Sequence, residues 1–232
     1  MKYTIMHIND RAKKLIDENK TILSSFKYVD SIPFFNGLNS NPWDELAARN
    51  INVSSWSPYD GRTSDPLPGE LGIWISYLNV FDYILQTKTE QMLVLEDDAI
   101  LIDSAVSSIN SLMTDLPQSW DFLSLHYHSE QNQLTLESNI ESDKIHKSIN
   151  QMASTVAIVY SYSFAKKFLD LVQTKGIEYT IDCFLYRQSL LGLINGYSVI
   201  PSNNKIVNHN FATFKSTIDP ENIRNIDVDL KK

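Results

Sequence analysis

The sequence predicts an α/β protein whose sheet is mainly parallel and flanked by helices. Two observations carry this. Short apolar runs of strand length alternate with stretches whose apolar residues recur at helical spacing. One of the runs, Met92-Leu93-Val94-Leu95, is apolar at every position, as in a strand covered on both faces.

The elements follow in order. Tyr3 to Ile8 reads as a first strand, broken by Asn9-Asp10, and Arg11 to Leu23 forms a helix with Ala12, Leu15, Ile16 and Leu23 on one side. Tyr28 to Phe35 reads as a second strand, with Pro33 marking an edge or an irregular end. Residues 38–69, with Pro42, Pro58, Pro66, Pro68, Trp43 and Trp56, read as a long loop. Its Trp and Tyr residues read as a sugar platform or, more simply, as pins that hold the loop to the body. Pro68-Gly69-Glu70 opens the clearest helix, in which Leu71, Trp74, Leu78, Phe81 and Leu85 make one apolar stripe.

After the strand at 91–95, Asp103 is expected to cap a helix bearing Val106, Ile109, Met113 and Leu116, which Pro117 stops. Trp120 to Leu125 is a strand ending in His126-Tyr127-His128, read as exposed loop histidines or as substrate contacts. The polar residues 129–150 read as a loop or small hairpin that closes over substrate. Thr155 to Tyr160 is a buried strand, and the next helix bears Phe164, Phe168, Leu171 and Val172 and ends at Gly176. Asp182 stands at the start of a helical segment, Cys183 to Leu191, and Tyr197 to Ile200 is a last strand. One domain over 1–214 is expected, followed by a polar tail at 215–232.

Composition narrows the function. Hydrophobic residues make up 43% of the 232, enough for a sizeable core, so the chain is not of disordered type. A net charge of −8 argues against nucleic acid as a partner, since phosphate backbones need a basic face. The single cysteine, Cys183, excludes an intrachain disulfide. The apolar N-terminal run is too short for a signal peptide and no run reaches membrane-span length, so a cytoplasmic protein is expected.

The chemistry concentrates at Glu96-Asp97-Asp98, directly after the buried strand. Ligands in open α/β sheets sit at the carboxyl ends of strands. Adjacent carboxylates repel one another, and their oxygens suit hard cations such as Mg2+ and Mn2+. The plainer reading is a solvated acidic turn that begins a helix. No glycine-rich phosphate fingerprint follows the first strand.

Gly69-Glu70-Leu71-Gly72 with Ser76 in the same helix, followed by Leu93-Val94-Leu95-Glu96-Asp97-Asp98, resembles glycosyltransferase family 25, which includes bacterial lipopolysaccharide and collagen galactosyltransferases. Weaker echoes lie at Asn9 and Arg11, at Tyr160-Ser161 with Ala165, and at Ile181-Asp182-Cys183-Phe184-Leu185. Tyr77 stands where the family has His, Ile73 where Cys is usual, and Asp10 where Leu is expected.

The resemblance implies a GT-A type fold that binds a nucleotide sugar, UDP-galactose or UDP-glucose, with Mn2+ or Mg2+. It implies transfer with inversion to a glycan or hydroxylated acceptor. It assigns Asp98, Glu96 and His209 to the metal, and Glu96, Asp97, Glu70, Ser76, Asn9 and Arg11 to the donor. Asp182 is the implied catalytic base. For Glu70 and Ser76 the plainer roles are a first-turn acid and a tolerated small residue; for His209, a histidine bonded to backbone; for Asp182, a helix cap. Two other functions stay open on the sequence: a Mg2+-dependent phosphotransferase or nuclease using the same acids, and a sugar-binding relative without turnover.

Overall fold

The computed structural model describes residues 1–7, 12–37, 39–53, 65–126, 144–147, 155–200 and 206–209, with only the backbone for His209. Asn9, Arg11, Trp56, His128, most of the 129–150 segment and the 215–232 tail lie outside the described residues.

The chain forms β1 (Lys2–Met6), α1 (Lys13–Ile22), β2 (Lys27–Tyr28), α2 (Pro42–Ala48), α3 (Pro68–Gln86) and β3 (Gln91–Glu96). There follow β4 (Ala99–Leu101), α4 (Ala105–Asp115), β5 (Phe122–Ser124), β6 (Ile145–Lys147) and β7 (Ala157–Ser161). The described chain ends with α5 (Tyr162–Lys175), α6 (Ile181–Leu190), β8 (Gly196–Val199) and β9 (Val207–His209).

Seven strands build one sheet in the order β2-β1-β3-β7-β5-β8-β6, and β4 and β9 form a separate ribbon. β1, β2, β3, β5 and β8 run one way, while β7 and β6 run against them. The sheet is therefore mostly parallel, with the antiparallel β7 set between β3 and β5.

Period-two alternation explains the core. Met92 and Val94 of β3 face α3, α5 and α6, while Leu93 and Leu95 face α1 and α4, and all four are fully buried. On the first face, Phe81 packs edge-on against Tyr160 and Phe164, and Trp74 stacks on Phe168. Burying each such side chain contributes roughly 1.5–3 kcal/mol.

Several expectations change. Of the expected second strand, Tyr28 to Phe35, only Tyr28 lies in β2, because the chain beyond Pro33 docks on α3 instead: Phe35 N–H donates to Ser76 Oγ at 2.9 Å. The expected long loop contains α2, capped by Asn41, whose side chain accepts from Trp43 N–H at 3.1 Å with Pro42 in the first turn. Trp43 itself is exposed. Asp103 does not cap α4; Ser104 holds that position, without a side-chain cap bond, after a turn in which Ala105 N–H donates to the Ile102 carbonyl. Residues 145–147 of the expected flap are an edge strand paired with β8.

Candidate active site

The site is built from the end of β3. Glu96 is its last residue, and Asp97 and Asp98 form the turn into β4. Alternation puts Glu96 on the Val94 side, toward α3, where Tyr77 and Tyr160 are buried. Its N–H donates to the Val156 carbonyl at 2.9 Å, extending the β3–β7 ladder by one step. The Thr155 hydroxyl donates to Glu96 Oε1 at 2.6 Å. Beneath it, the Tyr77 hydroxyl donates to the Thr155 carbonyl at 3.3 Å.

The electrostatics follow from this crowding. Burial pushes the Glu96 carboxyl up to about 8, and repulsion from Asp98, Asp182 and Asp97 adds to it against the opposing Thr155 bond. Besides burial, Glu96 therefore feels four residues from three parts of the chain. Burial, then the neighbouring Tyr160 and Glu96, also raises Tyr77 well above the usual tyrosine range.

Asp182 arrives from far along the sequence. The helix begins at Ile181 with Thr180 as its cap, so Asp182 is a first-turn residue and not the cap itself. Asp182 Oδ1 accepts from Cys183 N–H at 2.8 Å. The position of this helix is fixed by α3: Trp74 Nε1–H donates to the Tyr179 carbonyl at 2.8 Å, and the Trp74 ring meets Phe184 edge-on.

The ribbon behind the turn matters too. His209 pairs with Ala99 in the β4–β9 register, one residue beyond Asp98. Asn19 of α1, buried, clamps β4 by donating to the Ala99 carbonyl at 2.7 Å and accepting from Leu101 N–H at 3.2 Å. Among the described residues, no group of three His, Cys, Asp or Glu side chains is gathered to hold a metal ion. Glu96 and Asp98 nevertheless supply two crowded carboxylates, and Mg2+ is commonly bound by one or two carboxylates together with substrate phosphates.

Glu70 and Ser76 are both occupied with backbone. Glu70 Oε2 accepts from Leu67 N–H at 2.8 Å and caps α3. Ser76 accepts from Phe35 N–H and donates to the Gly72 carbonyl at 2.9 Å. His126 is buried at the site end of β5, not an exposed loop histidine, because Leu125 N–H extends the ladder to the Ala157 carbonyl and carries the chain inward. Thr155, Asn19 and Trp74 as positioning groups were missed from the sequence. Nothing local marks a threonine, asparagine or tryptophan as a neighbour of an acid dozens of residues away.

Among the described residues, no helix is long and apolar enough to cross a membrane. No curated protein matches the chain. A solved structure, a glycosyltransferase involved in the glycosylation of the major capsid of PBCV-1, is similar at 11% identity over 94% of this chain and 95% of that one, with a TM-score of 0.46. That likeness is too distant to carry an argument. The model of glycosyltransferase family 25 (LPS biosynthesis protein) matches residues 7–185, a span that takes in β3, its three acids and Asp182. Because this match covers well over half of the chain, the protein belongs to glycosyltransferase family 25 and is a glycosyltransferase.

Proposed function

We propose that this enzyme moves a hexose, galactose or glucose, from a UDP-linked donor to a hydroxyl of a glycan or hydroxylated side chain, with inversion, on a GT-A type nucleotide-binding sheet. The observation that carries the reading is the run Glu96-Asp97-Asp98 at the carboxyl end of β3, where the charge of Asp182 also acts on Glu96. In this reading Asp98 and Glu96 hold Mn2+ or Mg2+, with His209 as a further ligand. When bound, such an ion supplies positive charge against the diphosphate leaving group. Asp97 and Glu96 orient the donor. Asp182 accepts the proton of the attacking hydroxyl, and the Trp74–Tyr179 bond holds its helix in register. Glu70 and Ser76 shape the donor end of the site through the backbone they fix.

Thermal unfolding with UDP tests the reading. UDP with MnCl2, at about 100 times its Kd, should add roughly 2.7 kcal/mol of stability. For a chain of this size that is a rise of ~5–10 °C in Tm. EDTA should abolish the rise. No rise with UDP and Mn2+, or an equal rise in EDTA, would sink the metal-assisted UDP reading.

A further inference from the structure

Glu96 is fixed at its backbone by β7, but its side chain has three rotatable bonds and sits where the strand ends. The charges of Asp98, Asp182 and Asp97 act on its carboxyl group. Its side chain is held by the 2.6 Å bond that the Thr155 hydroxyl donates to Oε1. Thr155 is suited to the task. It is buried, its β-branched side chain has few rotamers, and its own carbonyl is held by the Tyr77 hydroxyl from the core of α3. Tyr77 is fully buried and packs edge-on to Tyr160 of β7, so the support under Thr155 comes from two elements.

We propose that Thr155 is a positioning residue for Glu96, locking its carboxylate in the orientation that the donor and its cation meet. This rests on the reading of Glu96 as part of the donor site. A carboxyl group that accepts a short hydroxyl bond keeps one oxygen committed to the protein and presents the other to ligand. Without the hydroxyl, Glu96 swings freely, and ligand binding must itself supply the ordering.

Titration calorimetry of the full chain with UDP and MnCl2 tests this. Thr155→Val keeps the shape and removes the hydroxyl, and should weaken binding about tenfold or more, equivalent to ~1.4 kcal/mol. Thr155→Ser restores a hydroxyl and should bind within about threefold of the wild type. In a Glu96→Gln background, Thr155→Val should add little, because coupled groups are not additive. Thr155→Ala enters the same cycle should the valine variant not fold. Wild-type affinity in Thr155→Val, a serine variant as weak as the valine one, or an undiminished valine effect in Glu96→Gln would each overturn the proposal. Absence of UDP binding by the wild type, or wild-type affinity in Glu96→Gln, would instead overturn the donor-site reading beneath it. Only when both of those controls behave does a failure belong to Thr155 alone.

Discussion

Gly37 and Gly72 meet backbone to backbone where the segment after β2 crosses the first turns of α3. A Cβ on Gly72 would lie 2.8 Å from the Gly37 nitrogen and 3.1 Å from the Phe35 carbonyl oxygen. Neither partner is a flexible side-chain end, so the crossing must open to admit a methyl group.

Gly72→Ala should therefore destabilise the fold despite alanine's better helix propensity, by about 1–3 kcal/mol as for other overpacked sites. Ser76→Ala removes the hydroxyl that accepts from Phe35 N–H, leaving that donor without its bond at a cost of about 1–3 kcal/mol. Urea unfolding checks both. A Gly72→Ala variant as stable as the wild type would mean that the segment is not held against α3.

Asp98→Ala should abolish the effect of Mn2+ on UDP affinity while leaving the fold intact, since Asp98 stands in a turn and contributes little apolar contact. Calorimetry with and without EDTA checks it. If the variant still binds UDP more tightly with Mn2+ than without, Asp98 is not a ligand.

Asp182→Asn should lose transfer by roughly 100-fold or more, in line with loss of a general base. The amide oxygen can still accept from Cys183 N–H, so folding and UDP binding should stay near wild type. UDP release from UDP-galactose and UDP-glucose gives the rate. Near-normal turnover would leave Asp182 as a first-turn acid that only stabilises α6.

His146 gives a pH dependence separate from the active site. It is buried in β6, and burial lowers its pKa from 6.5 against the opposing backbone bonds to Lys147 and Val199. The unfolded chain then binds a proton near pH 6.5 that the folded chain takes up only at lower pH. The contribution is complete above about pH 6.5 and is lost as pH falls toward the folded value. The slope from one such group is at most about 1.4 kcal/mol per pH unit. His146→Gln should flatten stability below pH 6.5 in urea titrations at successive pH values; an unchanged slope would clear His146.

Two features were legible because they are written locally. The apolar run 92–95 marks a buried strand, found as β3, and the three acids after it fall at its end and in the turn that follows. The stripe from Leu71 to Leu85 marks α3, and all but Leu85 of its named positions are fully buried. The α2 helix was not legible, since seven residues opened by a proline give too short a period. The β4–β9 ribbon was hidden for a related reason: each strand is three residues long and gains its identity only from the other.

The sequence by itself determined the α/β class, the acid cluster and the family, because periodicity and contiguous motifs need no partner. Only the tertiary structure decided that β7 runs antiparallel beside β3, which delivers Thr155 to Glu96. It also decided that the docking of α6 on Trp74 brings Asp182 into the field of the same carboxylate. Those meetings depend on which strands pair and which faces pack, and that choice is made by the summed burial of both sides of the sheet, not by any one stretch of chain.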